Sequence, residues 1–327
     1  MRVVMFPNGS GASYWRLYHP AKYIKQMGLE VIVPTGGITE EIAQWGDVFV
    51  LQGTVDKEGI ALLHTYQQEK GKKIVVDCDD WVEVEADNPH KKEHDIADAA
   101  TVFSIVLEIA DLVTTTTPYL ASKLRRFNKN VIVLPNYMDI NTWLIQTPKK
   151  KHDQIRIGWA GSVTHIRDLE VVIDVLERLM DKHPQIKFIF MGDPRVREFF
   201  DRKDRVECML GVPFENYPKR LHGLGLDIGI VPLRDTEFNR CKSYIKPLEY
   251  GINGIPSVVS AIEPYKELGE RVYLVNHPSE WVENLEMLIQ DPKLREDVGE
   301  EMKRHIVEQY SIKDHAKAWF DAYSSLA

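Results

Sequence analysis

Short continuous runs of apolar, largely β-branched residues alternate along this chain with longer stretches in which apolar positions return every three or four residues. Runs of the first kind have no polar face, which predicts strands buried on both sides, as in parallel sheets covered by helices. In the first half the predicted strands are Arg2–Phe6, Glu30–Val33, Val48–Leu51, Lys73–Asp77, Leu112–Thr115 and Val131–Leu134. Predicted helices lie between them at Tyr14–Met27, Lys57–Lys70, Ile96–Ile109 and Pro118–Phe127, with Pro118 suited to a first helical turn. At Asn136–Trp143 the alternation stops, and Thr147–Asp153 is polar, charged and proline-punctuated, as linkers are. It resumes with strands at Ile155–Trp159, Lys187–Met191, Arg205–Cys208, Asp227–Val231, Ser257–Ser260 and Val272–Val275, and a helix at Leu169–Lys182. From Pro278 onward the pattern is helical, and Trp319, Phe320 and Tyr323 in the last segment must be buried somewhere.

This order predicts an α/β protein of two Rossmann-like domains, residues 1–148 and 149–305, with a closing helix at 306–327 that packs back on the N-terminal domain. The carboxyl ends of both sheets are expected to open toward one cleft holding the ligands. The 327-residue length suits two cores. Composition narrows the classes further: 44% hydrophobic and 28% charged residues is ordinary for a soluble globular chain. No apolar run approaches a membrane span, and Met1–Phe6 runs into Pro7-Asn-Gly rather than a signal-peptide core. A cytoplasmic protein is expected, with peripheral membrane attachment as a second option. The three cysteines have neither disulfide-framework nor metal-ligand spacing, and the net charge of −8 disfavours nonspecific duplex binding.

The densest chemistry lies in Asn239–Ser260. Lys242 and Ser243 stand where a helix is expected to begin, so a cation, a hydroxyl and free backbone N–H groups would face a phosphate. Glu249 follows two turns later on the same predicted face, and a carboxylate can accept from two vicinal hydroxyls at once. Gly254 and Pro256 are expected to stop that helix. Lys246, one turn on, either assists the charge or is solvated, with solvation favoured.

Ile155–Leu169 reads as a strand, a glycine-containing turn and a helix start. Either it is an ordinary βα turn or it cradles a phosphate, with Gly161 allowing close approach and Ser162, Thr164, His165 and Arg167 adding polar groups. In the first half, Asp79 and Asp80 at a strand end are candidates for orienting an acceptor hydroxyl, and Trp81 for stacking on a sugar face. Asp77-Cys-Asp79 imitates a metal motif, but the two-sheet pattern argues for no metal. His90 and His94 read as solvated, and Asn136 as a structural cap of the crossover. Arg16, after the Asn8-Gly-Ser-Gly11 loop, either reaches an anion or belongs to a flexible turn.

Pro135-Asn136 with Met138-Asp139, the Gly158–Ser162 turn, Asp227–Pro232 and the Lys242–Pro256 block, in this order, resemble the GT-B glycosyltransferases, nearest the family-4 retaining enzymes (glycosyl transferases group 1). The resemblance covers nearly the whole chain. It implies that Glu249 holds the donor ribose and that Val212-Pro213 forms the backbone platform for the nucleobase. It also implies a nucleotide-diphosphate sugar, UDP- or GDP-linked, as co-substrate with no further cofactor. Retaining transfer would then proceed without metal, with Arg167 and Lys242 stabilising the diphosphate leaving group. Two positions depart from the family: Cys241 stands where the first family glutamate would be, and Ser162 replaces a phosphate-binding arginine, with Arg167 near the family's lysine. The acceptor is left open among glycan, lipid-linked, protein or modified nucleic-acid base, and so is the oligomeric state. A GT-B-fold sugar-nucleotide epimerase and a noncatalytic nucleotide-sugar-binding or scaffold protein are the alternative readings.

Overall fold

The computed structural model describes residues 1–53, 57–88, 91–92, 99–148 and 152–327. His90, His94 and the start of the helix expected at Ile96 lie outside the described residues. The chain forms two compact units: Met1–Asp139 with Arg240–Ser243 and Tyr310–Ala327, and Ile140–Asn239 with Tyr244–Gln309.

The first unit is built on a six-stranded sheet of β1 (Arg2–Phe6), β2 (Glu30–Ile32), β3 (Val48–Gln52), β4 (Lys73–Cys78), β5 (Leu112–Thr115) and β6 (Val131–Val133), in the order β2-β1-β3-β4-β5-β6. Every pairing is parallel. All five residues of β3 are buried, the outcome expected of a run with no polar face. Thr117 caps the helix Pro118–Leu124 by accepting from Leu120 N–H at 3.2 Å. The helix expected at Tyr14–Met27 is two pieces: a π-helical turn, Tyr14–Tyr18, then an α-helix, His19–Gln26. Pro20 has no N–H to give Arg16 in an α-ladder, and the turn widens so that His19 N–H bonds Tyr14 O.

Tyr310–Ala327 groups with this unit. Met138 N–H donates to Tyr310 O at 2.7 Å and Ile312 N–H to Met138 O at 2.9 Å. Ile312, Trp319 and Tyr323 are buried in one cluster with Val3, Leu17, Ile24 and Val31. The aromatic tail therefore buries itself on the N-terminal sheet and its first helix, as its sequence demands.

The second unit has the order β12-β11-β10-β7-β8-β9, with β7 (Ile155–Ala160), β8 (Ile186–Gly192), β9 (Val206–Leu210), β10 (Ile228–Val231), β11 (Ser257–Ser260) and β12 (Tyr273–Val275). These pairings are again parallel. The helix Ile173–Lys182 buries Val175, Leu176, Leu179 and Met180 along one face, the spacing of an amphipathic helix. Its predicted first turn is instead the end of a 3-10 segment, Val163–Val171. Short helices at Glu40–Trp45, Ile140–Trp143 and Tyr217–Gly223 were not anticipated, each being under two full turns. Among the described residues no helix is long and apolar enough to cross a membrane.

Candidate functional site

In an open parallel sheet the crevice for a ligand lies where chain direction reverses, because the loops leaving two adjacent strands then diverge to opposite faces. In the second unit that point is between β7 and β10. Gly161 and Ser162 follow β7, and Pro232–Arg234 follow β10.

Close packing holds this edge. A Cβ on Gly161 would meet the Trp159 ring at 2.4 Å, and one on Gly192 would meet Gly161 O at 2.2 Å. Bare backbone is required at both, and Gly161 N–H donates to Met191 O at 3.1 Å. Gly229 in β10 leaves room for the Tyr250 ring, which a Cβ would strike at 2.5 Å. The Tyr250 hydroxyl then accepts from Ala160 N–H at 2.9 Å, tying the end of β7 to the helix Ile245–Gly251.

Asp168 fastens the two diverging loops together. Its buried carboxylate accepts from Arg234 N–H at 2.9 Å and Asn239 Nδ2 at 2.8 Å, while His165 Nδ1 lies 2.8 Å away. Arg234 Nε is 3.6 Å from the same carboxylate, an ion pair beside the switch point. Asp168, Arg234 and Asn239 form a unit that sequence reasoning did not find: the partners lie 66 and 71 residues from Asp168. Arg167 points elsewhere, pairing with Glu170 on an exposed face. Ser162 Oγ and Thr164 Oγ1 hydrogen-bond to each other.

Glu249 is 3% exposed, yet hydrophilic contacts hold it. Tyr217 OH donates to Oε2 at 2.9 Å and Lys246 Nζ at 2.7 Å, and Lys246 Nζ also lies 2.9 Å from the Tyr217 hydroxyl oxygen. Burial first, and then the Glu249 charge, push the Tyr217 phenol well above its ordinary range, so it stays a donor. Trp143 packs edge-on against Phe214 and Tyr217, which fixes the phenol. Both donors converge on Oε2; among the described residues Oε1 accepts from none. Lys246 is thus the carboxylate's partner rather than a solvated side chain, because its three-residue spacing from Glu249 brings the two together on the helix. Gly254, at φ +65°, closes that helix, with Ile255 N–H returning to Tyr250 O at 3.2 Å. Val212 is half-buried on the loop after β9, at the same carboxyl edge.

Lys242 and Ser243 are not on the first turn of the Glu249 helix. The helix Glu237–Arg240 ends before them, and the next begins only at Ile245. The two-turn spacing expected from continuous helix therefore does not apply. Arg240–Ser243 groups with the first unit, where Lys242 Nζ pairs with Asp80 Oδ2 at 2.6 Å and Ser243 Oγ accepts from Asn136 Nδ2 at 2.7 Å.

In that unit Asp79 is half-buried at the end of β4, with Gln52 Nε2 3.4 Å from its Oδ1. Burial, then the charges of Asp80 and Asp77, raise its carboxyl to about 7. Arg16 reaches no ligand: it is fully buried, gives two hydrogen bonds to Asp77 at 2.9 and 2.8 Å, and also donates to Leu134 O and Asn136 Oδ1. Asp77 further accepts from Thr114 at 2.6 Å, so it is engaged and no mate for Asp79 in a metal motif. Trp81 is buried edge-on against Phe103 with Arg126 over its ring, which closes it to a sugar face. Asn136, buried between Arg16 and Ser243, does hold chain segments together.

No family model matches the chain, and no curated protein sequence matches it. Solved structures do. It is similar to a sucrose-phosphate synthase from Thermosynechococcus elongatus, at TM-score 0.69 and 13% identity, over 100% of this chain and 99% of that one. The catalytic domain of starch synthase IV from Arabidopsis thaliana, bound to ADP and acarbose, matches at TM-score 0.66 and 10% identity over 99% of each. An inferred UDP-N-acetylglucosamine 2-epimerase from Listeria monocytogenes matches at TM-score 0.60 and 11% identity, over 99% of this chain and 96% of that one. The chain has the GT-B fold of these two-domain proteins, with two parallel six-stranded sheets.

Proposed function

We propose that the protein transfers a sugar from a nucleotide-diphosphate sugar, UDP- or GDP-linked, to an acceptor, with retention of anomeric configuration and without a metal ion. The observation that carries this reading is the Glu249 cluster beside the β7/β10 switch point. A buried carboxylate held through one oxygen offers the other to a ribose hydroxyl, and glycine backbone next to it suits a diphosphate. Val212 and Pro213, on the neighbouring loop, suit a base.

In this reaction the bond between the anomeric carbon and the phosphate oxygen breaks, and its electron pair goes to the diphosphate. The acceptor oxygen forms the new bond on the same face, and its proton passes to the leaving phosphate. Positive side chains favour the departing charge. Lys246, beside Glu249, and Arg234, oriented by Asp168, take that role in the second unit, and Arg167 and Lys242 join them on exchanging Glu170 and Asp80 for the diphosphate. Asp79 and Asp80 orient the acceptor hydroxyl. The likeness in fold to a sucrose-phosphate synthase and to a starch synthase supports the class of reaction.

A thermal-shift panel of UDP-, GDP-, ADP- and CDP-sugars tests the reading, because a donor at 100 times its Kd adds about 2.7 kcal/mol of stability. Proton NMR of the product then reports the anomeric configuration, and turnover unchanged by EDTA is expected. No stabilisation by any of these nucleotides refutes the proposal. The epimerase-like neighbour supports one second reading, isomerisation of the sugar nucleotide itself. Sugar interconversion without any acceptor would favour it, and binding without turnover would favour a noncatalytic binder.

A further inference from the structure

The first sheet has a switch point of its own, between β1 and β3, and a cavity of about 870 Å³ opens beside it, whose described lining residues all belong to the first unit. Its walls come from the loops that leave β1 and β2 and from the helix Lys57–Lys70. Three features define what it can hold.

The first is its bare backbone. A Cβ added to Gly9, Gly36 or Gly37 would meet nothing within 4 Å, so the peptide groups of these loops are open to a ligand. The second is an apolar side made by Tyr18 with Pro7, Pro34, Ile38 and Leu62. A pyranose ring has the matching character, with hydroxyls around its rim and C–H groups on a face that packs on aromatic and apolar surface. The third is charge. Glu58 is the charged residue among the described lining residues, and no lysine or arginine is among them.

Arg16, two residues before the lining Tyr18, is spent on Asp77, Leu134 O and Asn136. At the switch point itself the side chains are neutral and mutually bonded. Ser13 Oγ donates to Gln52 Oε1 at 2.6 Å, and Asn8 N–H lies 3.4 Å from the same oxygen. Next along the edge stand Asp79 and Asp80, with Lys242 already paired to Asp80. A phosphate or carboxylate entering here would meet acidic groups and no uncommitted counter-charge among the described lining residues.

We propose that this cavity binds the acceptor and selects a neutral saccharide or polyol over a phosphorylated or otherwise anionic one. The inference rests on the sugar-transfer reading for the word acceptor; the selectivity rests on the cavity alone. It excludes lipid-phosphate and nucleic-acid acceptors and retains neutral glycans.

Saturation-transfer NMR on the full-length protein, without donor, tests it. The probes are neutral mono- and disaccharides, each beside its own phosphate ester. The neutral sugars should give saturation transfer, and the esters should bind about tenfold more weakly, the scale of one like-charge contact partly screened by water. Gly37→Phe, which places a ring in open space without backbone strain, should abolish the signal. Nucleoside diphosphate binding by that variant should be unchanged. Glu58→Lys should narrow or reverse the preference. Esters that bind as well as their parents, signals that survive Gly37→Phe, or absence of saccharide binding would each overturn the proposal. Saccharide binding by a protein that binds no nucleotide would instead remove the donor assignment and leave the cavity's selectivity standing.

Discussion

Replacing Glu249 by Ala removes a carboxylate that is 3% exposed and that accepts from Tyr217 OH at 2.9 Å and Lys246 Nζ at 2.7 Å. Lys246, at 30% side-chain exposure, can turn to water, so the folding loss comes mainly from a phenol left without its acceptor and a small cavity. That should cost about 1–3 kcal/mol of stability, within what a domain tolerates. The binding loss has a different origin. If Oε1 accepts from a ribose hydroxyl, the deletion forfeits a charge-assisted bond of about 1–3 kcal/mol, a factor of about 5 to 150 in Kd. Calorimetry with a nucleoside diphosphate and its 2′- and 3′-deoxy forms separates this from general damage. In the parent protein at least one deoxy form should bind more weakly. In Glu249→Ala the ribo and deoxy forms should bind alike, because the partner of the missing hydroxyl is also gone. A variant that keeps the parent affinity, or that still tells ribose from deoxyribose, would refute the ribose assignment.

Tyr217→Phe should weaken the same binding by about 1 kcal/mol through loss of the bond that orients Glu249, which titration of the folded variant will show. Arg16→Met strands Asp77 as a fully buried charge and should cost about 3–5 kcal/mol in urea unfolding, with most of the loss recovered in Arg16→Met/Asp77→Asn. Asp79, raised from 3.8 to about 7, holds its proton in the folded protein where the unfolded chain has released it. Its contribution is therefore most favourable below pH 4, is eroded as pH rises toward 7 and is level above that. Asp79→Asn should match the parent near pH 4 and exceed it at pH 8 by up to about 4 kcal/mol, a gain read from melting curves across pH. Equal stability at pH 8 would contradict the raised carboxyl.

Much of the architecture was legible because buried parallel strands write themselves as unbroken apolar runs. Arg2–Phe6, Leu112–Thr115 and Ser257–Ser260 are strands with the predicted bounds. What failed were elements whose limits depend on a local contest. The Lys242 segment carries helix-compatible residues, yet the chain turns at Cys241 and restarts only at Ile245. The Tyr14 helix bends into a π turn ahead of Pro20. Short helices such as Tyr217–Gly223 hold too few turns for periodicity to register, and that one supplies the phenol on Glu249.

By itself the sequence determined the class of this protein. Two sets of apolar runs alternating with amphipathic segments can bury themselves only as two covered parallel sheets, and the aromatic tail had to find a core. Glu249 and Gly161 were also visible as residue types suited to a ribose and a diphosphate. Only the tertiary structure decided partners, because hydrogen bonds join residues that are neighbours in space and distant in the chain. It gave Arg16 to Asp77, 61 residues away, and took it from any ligand. It gave Lys242 to Asp80, 162 residues away, and set Lys246 in its place beside Glu249. Charge and residue type are written locally; which charge answers which is settled by the fold.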